Sequence, residues 1–420
     1  MSRWDRLRSD WRFTAGMFFV TVLLETAAFG QLTAFTPLYL REVIGLPSQE
    51  IPFWTGLLAA TSLVVAVPLA PWWGVLADRY SRKLFIVRSM VVDGIAYAIA
   101  AVATDLWHVI ALRMVLGFSY GNIGIVFAAQ SLVTPDRRVG TAIGIIQAAL
   151  PLGSSVGPLL GGMVVEQHGL RGLFTLNAAI VSLAFLLTMV FMKESPIRGA
   201  EHGIRRQLGS VTRFVISSPP LRWNFIIWFL VAYGVSCIDP YVPILIERVY
   251  EGPDLPTTIG QVMAIYGLTT GIATPFIARL GERVGPDRWM AVTTPWLAIS
   301  VLAMALAPTL PLLVMAQLLR ALPQSGTQAV LYAHMTAFVP RTLRASVMGL
   351  SPLPRNIAML VAPLAAAVVS SVSLTFVFLM GACAYLLAFG ATFPLRRASR
   401  SPLQEHLTTQ RADLEEQSSV

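Results

Sequence analysis

The sequence predicts an all-α membrane protein of twelve transmembrane helices, arranged as two six-helix bundles with pseudo-two-fold symmetry. Three observations predict it: apolar runs of crossing length, basic residues confined to one side of those runs, and an internal repeat. Hydrocarbon is about 30 Å thick and an α-helix rises about 1.5 Å per residue, so one crossing takes about 20 apolar residues. The 420 residues are 55% hydrophobic and only 13% charged, with a mean hydropathy of +0.66. That balance lies outside the soluble range. A soluble all-α protein would need polar faces along its helices, and these are nearly absent.

Twelve stretches meet the length requirement, near 13–39, 52–73, 84–103, 106–129, 141–165, 172–192, 223–246, 258–279, 289–307, 310–333, 346–370 and 374–395. Ahead of the first, residues 1–12 set Trp4, Leu7 and Trp11 among arginines and are expected to lie on the membrane surface as a short helix. The first apolar run is too long for a signal peptide and lacks a small-x-small cleavage site, so it is expected to be retained. After the sixth run the chain turns charged and carries Pro and Gly, too polar to span, from Glu194 to Leu221. The expected organisation is an N-terminal bundle over 1–193, a cytoplasmic linker over 194–221, a C-terminal bundle over 222–395 and a cytoplasmic tail over 396–420. The tail, with Glu405, Asp413, Glu415 and Glu416, is expected to be disordered.

The two halves repeat at an offset of about 205 residues. Leu76-Ala77-Asp78-Arg79, after helix two, is echoed by Leu280-Gly281-Glu282-Arg283 after helix eight. Pro135 before helix five matches Pro340 before helix eleven, and Gly144 and Pro158 match Gly349 and Pro363. Pro37 corresponds to Pro243 within a residue. Each match is weak alone; the shared offset makes coincidence improbable. Duplication suits alternating access, in which two rigid bodies rock about a site between them.

The net charge of +9 invites a nucleic-acid partner, but its placement argues against one. With a cytoplasmic N-terminus, twelve crossings leave only Arg41, Arg171 and Arg248 outside, and Arg113, Arg320 and Arg355 within the hydrocarbon. The remaining 25 of 31 basic residues lie inside, against the anionic inner leaflet. The expected location is therefore a bacterial inner membrane, with both termini cytoplasmic and the lipid bilayer as partner. Cys237 and Cys383 both fall inside apolar runs, so neither a disulfide framework nor a metal site is expected. No P-loop occurs, which argues against direct ATP drive. The histidines at 108, 168, 202, 334 and 406 are scattered, and no Ser/His/Asp cluster appears. No enzyme, cofactor or nucleic-acid partner is expected, and a monomer is.

The loop after helix two reads Gly74-Val75-Leu76-Ala77-Asp78-Arg79-Tyr80-Ser81-Arg82-Lys83. It resembles the signature of the major facilitator superfamily, departing mainly at Ser81, where glycine is common. Gly74 is expected to let the backbone turn tightly at the membrane face. Asp78 can accept hydrogen bonds from arginines or helix N-terminal amides. The plainer reading is a topogenic loop. The sharper one is a conformational latch, with Asp78 engaging Arg341 and Arg344 while Glu282, beside Arg283, engages Arg137 and Arg138.

Helix five carries Gly153, Gly157, Pro158, Gly161 and Gly162. Small residues at spacing four allow close helix contact, which is the common structural meaning of such a pattern. The five positions also resemble the antiporter motif of the drug:proton antiporter branch, and the helix-eleven counterpart is degraded to Ala358, Ala362, Pro363, Ala366 and Ala367. The resemblance, which covers residues 13–395, implies the major facilitator fold and a proton-driven exporter of drugs or other small amphipathic compounds. Alternatives are an exporter or importer of a specific metabolite such as a sugar, or a receptor that binds without transporting. A large soluble signalling domain would favour the last, and these 420 residues contain none. Arg113 opens a partial match to the superfamily's helix-four motif, with Leu116 where glutamine is preferred. That implies a place near the proton relay; a structural ion pair or carbonyl clamp explains it equally well.

Ionisable groups inside membrane helices are costly and mark function by default. Six stand out: Glu25, Asp93, Arg113, Asp239, Arg320 and Arg355. Glu25 lies twelve residues past Phe13, about 18 Å of rise, near the midplane. A carboxyl in apolar surroundings favours its neutral form, so Glu25 is the first candidate to take and release a proton. A cationic compound could compete for that carboxylate and make exchange obligatory; the alternative is a permanent salt bridge with Arg113, Arg320 or Arg355. Asp93, nearer the inner face, and Asp239, just before Pro240 and nearer the outer one, are weaker candidates. Gln31, Asn122, Gln130, Gln147, Gln317, Gln328, Tyr332 and Asn356 are further polar groups for a cavity wall or for helix–helix bonds. Aromatic and methionine side chains such as Phe29, Trp228 and Tyr266 suit an adaptable apolar pocket.

Overall fold

The computed structural model describes residues 10–193, 213–339, 347 and 351–418, and every regular element in them is helical. In the first half these are α1 (Trp11–Glu42), α2 (Ile51–Arg79), α3 (Arg82–Val102), α4 (Leu106–Gly117), α5 (Asn122–Val133) and α6 (Val139–Phe191). The second half comprises α7 (Pro219–Ile238), α8 (Val242–Val249), α9 (Leu255–Val284), α10 (Pro286–Ala305), α11 (Leu310–Gln324), α12 (Thr327–Ala337), α13 (Pro352–Ser370) and α14 (Leu374–Ser418). Side-chain caps define several starts. Asp10 accepts from the Arg12 amide, Ser81 from that of Leu84, and Asp105 from those of Trp107 and His108.

Nine continuous stretches among the described residues are long and apolar enough to cross a membrane. One of them, α6, has 53 residues, or about 80 Å of helix, more than twice the hydrocarbon thickness. The chain breaks it at Gly169, whose φ of 69° and ψ of 175° are not helical. Large apolar side chains point outward along the helices, with Ile299 67% and Val368 66% exposed. In hydrocarbon that exposure is favourable. The chain is a multi-pass membrane protein.

The fourth and tenth apolar runs are not the straight helices expected from hydropathy. Each is two short helices joined at a glycine in the left-handed region, Gly121 with φ 92° and Gly326 with φ 69°. The two glycines stand 205 residues apart, so the break recurs at the offset of the sequence repeat. Hydropathy averages over such a break, because residues on both sides stay apolar. The expected tight turn at Gly74 is also absent: α2 runs unbroken past it to Arg79, and the chain reverses at Tyr80–Ser81, where Ser81 caps α3. The tail is likewise not irregular, since α14 stays helical to Ser418. Its Leu, Gln, Arg, Ala and Glu are strong helix formers that outweigh its polarity. The surface helix expected before residue 10 and most of the 194–221 linker lie outside the described residues.

Helix α1 lies along the first segment of α6, and the spacing-four glycines make the contact. A Cβ on Gly157 would sit 2.7 Å from the Ala27 Cα, and one on Gly161 2.9 Å from Gln31 Cγ. The two halves meet along two seams, α6 against α9 and α2 against α13. On the first, a Cβ on Gly162 would fall 2.8 Å from the Thr257 Cα; on the second, one on Gly56 would fall 2.8 Å from the Pro363 carbonyl oxygen. Gly157→Leu should therefore force α1 off α6 and lower stability by about 1–3 kcal/mol or more. Thermal unfolding in detergent measures this against Gly390→Leu, where nothing lies within 4 Å and no fall is expected.

Candidate functional site

Between the seams lies a cavity of about 410 Å³, within the size range of small-molecule sites. The first half contributes Phe29, Thr33 and Thr36 from α1, Thr55, Ala59 and Leu63 from α2, and Arg113 and Tyr120 from α4 and the turn after it. The second contributes Trp228, Val231, Ala232, Val235 and Ser236 from α7, Asp239 and Pro240 from the 3-10 turn after it, and Gln324, Thr327, Gln328 and Leu331 from around the α11–α12 break. Arg355, Met359 and Pro363 of α13 complete the wall.

Three of the six intramembrane charges line this cavity: Arg113, Asp239 and Arg355. A fourth, Arg320 of α11, stands behind the wall, 1% exposed, and is ion-paired with Asp239. Its guanidinium carbon lies 4.5 Å from the centroid of the Tyr266 ring, a cation–π contact that helps satisfy a buried charge. Arg113 is 4% exposed and donates from Nη2 to Thr36 Oγ1 at 2.6 Å, while its Nε has no acceptor. Arg355 is exposed to the cavity. Arg113, Asp93 and Arg355 all act electrostatically on the Tyr120 hydroxyl, which lines the cavity.

Glu25 is not among the residues that line this cavity. It is part-buried, and Asn122 Nδ2 donates to its Oε2 at 3.1 Å. It forms no ion pair with Arg113, Arg320 or Arg355 among the described residues. Asp93 is near enough for its charge to act on Glu25, and Asp93 Oδ1 is buried without a hydrogen-bond partner. The left-handed Gly121 starts α5 at Asn122 and so carries this side chain to Glu25. Sequence reading lists Asn122 among eight polar groups but has no means of pairing it with a residue 97 positions earlier.

The remaining polar candidates divide between wall and packing. Gln328 lines the cavity, whereas Gln130 donates to the Trp11 carbonyl at 3.0 Å and to Thr134 Oγ1 at 2.9 Å. Gln31 and Gln317 are buried. Tyr332 packs edge-on against Trp228, ring centroids 4.5 Å apart.

The signature loop makes mostly local contacts. Asp78 pairs with Arg82 across the α2–α3 turn, at 2.5 Å, and Arg79 lies over the Tyr80 ring. Lys83 Nζ donates to the carbonyls of Met189 and Met192 at 2.7 and 2.8 Å, fastening α3 to the end of α6. Arg283 is exposed. The Glu282 side chain and residues 341 and 344 lie outside the described residues.

Sequence reading misses the opposite end of the bundle altogether. There Arg41, at the end of α1, is ion-paired with Glu247 of α8. Nearby, Thr257 at the start of α9 donates to Glu166 of α6 at 2.5 Å. Both contacts join the first half to the second and close that end. The only signal in the sequence is that Arg41 is one of three basic residues on its side of the membrane.

Comparison with known proteins adds to this geometry. A family model described as Major Facilitator Superfamily matches residues 17–253 and 255–417. A multidrug resistance protein MdtG from Serratia proteamaculans is 28% identical over 283 residues, covering 66% of this chain and 68% of its own. One of the same name from Yersinia enterocolitica is 27% identical over 297 residues, 70% of each chain. Among solved structures, a bacterial homolog of the human lysosomal transporter Spinster, in an inward-facing and unoccupied conformation, matches with a TM-score of 0.76. It is 14% identical, and the match covers 92% of this chain and 97% of that one.

Proposed function

The chain belongs to the major facilitator superfamily, and from that premise we propose that it is a proton-coupled antiporter exporting drugs or other small amphipathic compounds. The cavity walled by both halves carries the reading: a site shared by two bodies is what alternating access acts on. Similarity to multidrug resistance proteins favours export of varied compounds over a single metabolite. The apolar wall, with Phe29, Leu63, Trp228, Leu331 and Met359, suits loosely specified cargo.

The topology proposed is twelve crossings in two six-helix bundles, over 1–193 and 222–395. Counting α6 as two at Gly169, and adding α10 and the α11–α12 pair, brings the nine apolar stretches to twelve. The recurrence of the helix break from Gly121 to Gly326 supports the symmetry. The bias of basic residues assigns the closed end, with Arg41 and Glu247, to the outside of a bacterial inner membrane. The cavity then faces inward, and both termini are cytoplasmic. The protein is proposed to work as a monomer.

Protons are assigned to Glu25, with Asp93 beside it. Glu25 has a neutral amide partner rather than a cation, so protonation breaks no ion pair. Arg113, at the cavity edge of the same half, is the candidate link between proton and cargo. In the antiporter motif, Gly153, Gly157 and Gly161 hold α6 on α1, while Pro158 and Gly162 meet α9, so the motif spans the surfaces that rocking would shift. Asp78, Arg82 and Lys83 anchor the α2–α3 turn from which a cytoplasmic latch would form.

Purified protein in liposomes tests the coupling. Dye export driven by an imposed pH gradient is expected to stop when an ionophore collapses that gradient; gradient-independent export would refute it. In the same vesicles Asp78→Asn is expected to lower the rate at least about tenfold with a melting temperature close to that of wild type, because the amide oxygen that replaces the carboxylate can still accept from Arg82. A wild-type rate would remove Asp78 from the latch.

A further inference from the structure

Resting on the reading of the cavity as the substrate site, we infer that its cargo is an amphipathic anion, whose carboxylate or sulfonate lies between Arg113 and Arg355. The charged side chains on the wall are Arg113, Asp239 and Arg355. Asp239 is already engaged by Arg320, which is buried behind the wall and stacked on Tyr266, so that pair adds no net charge. Two positive charges are left over. Neither has a carboxylate within ion-pair distance among the described residues. Arg113 is the more telling of the two, because it is almost wholly buried, donates to the Thr36 hydroxyl and leaves Nε without an acceptor among the described residues.

A buried guanidinium without an anion, as at Arg113, is costly, and the planar forks of N–H donors on both arginines match the paired oxygens of a carboxylate or sulfonate. An incoming anion would supply the missing acceptor, with its apolar body against Trp228, Leu331 and Met359. An incoming cation would meet two like charges, and one carboxylate that it could claim only by stranding Arg320. Glu25 and Asp93 do not line the cavity and form no ion pair with Arg113 or Arg355 among the described residues, although Asp93 acts on the same Tyr120 hydroxyl. The surplus therefore discriminates by sign.

The test uses three dansyl compounds on one ring system, ending in a sulfonate, a trimethylammonium or a neutral amide. Binding to the purified full chain in phosphatidylcholine nanodiscs is followed by fluorescence, with empty nanodiscs as blank. The sulfonate is expected to bind at least about tenfold more tightly than the ammonium probe. Arg355→Gln is expected to weaken the sulfonate at least about tenfold while leaving the neutral probe within about twofold. Because Arg355 is exposed, its replacement carries the test even where the buried Arg113→Gln fails to fold. Ammonium binding as tight as sulfonate binding, or sulfonate binding indifferent to Arg355→Gln, would overturn the inference. Ala59→Trp, which fills the cavity, separates the two levels. Where the preference for anions has already failed, loss of binding of all three probes in Ala59→Trp leaves the site standing and only the preference falls. If all three probes bind it as well as they bind wild type, the cavity is not the site and both readings fall.

Discussion

Liposomes containing Glu25→Gln are expected to lose export driven by a pH gradient by at least about a hundredfold, while exchange of cargo across the membrane without a gradient continues. The substitution keeps the shape of the side chain and a carbonyl oxygen for Asn122, which donates to Glu25 at 3.1 Å. It removes only the ability to change charge. A transporter whose two bodies rock normally but carry no proton would show that split between driven and undriven flux. Asp93→Asn gives the comparison, because Asp93 is the acidic neighbour whose charge acts on Glu25. Gradient-driven flux at wild-type rate in Glu25→Gln would transfer the proton to another group, with Asp93 next in line.

The second large effect is on folding. Removing the Asp239 carboxylate strands Arg320, which is 1% exposed and keeps Nε and Nη1 without hydrogen-bond partners even in the intact pair. Breaking a buried ion pair by deleting one partner destabilises by about 3–5 kcal/mol, whereas replacing both partners with apolar groups is often neutral. The lower end applies here, because the Asp239 side chain is 35% exposed to the cavity. Asp239→Ala is expected to melt well below wild type in detergent, and the double variant Asp239→Leu with Arg320→Met is expected to recover most of the loss. A single variant as stable as wild type would mean that Arg320 finds another partner and that the pair does not hold α7 against α11.

Much of the architecture is legible in the linear chain because a membrane leaves few options. Backbone groups in hydrocarbon must bond within their own segment, so a long apolar run reads directly as a helix. The 53-residue α6 shows where this reading strengthens the structure's own description, since hydropathy divides at the residues where Gly169 breaks the helix. The small residues Gly153, Gly157 and Gly161 likewise announce a close contact, though not that α1 is the helix contacted. The breaks at Gly121 and Gly326 are illegible, because an apolar helix and an apolar helix with a left-handed joint have the same hydropathy. A glycine at position 74 predicts a turn there, but the backbone turns at Tyr80–Ser81, where Ser81 caps the next helix.

Composition, the length of the apolar runs and the confinement of charge determine by themselves that this chain crosses a membrane many times, and the motif residues identify its superfamily. These are local quantities, set by what each segment can bury. Only tertiary structure decides which intramembrane charges share a site: it brings Arg113, Asp239 and Arg355 to one cavity, pairs Asp239 with Arg320, and withdraws Glu25 to Asn122. Six charges spread over more than 300 residues of sequence have no order along the chain that predicts their partners. Pairing depends on helix rotation and packing, and these are fixed by glycine contacts and helix breaks far from the charges themselves.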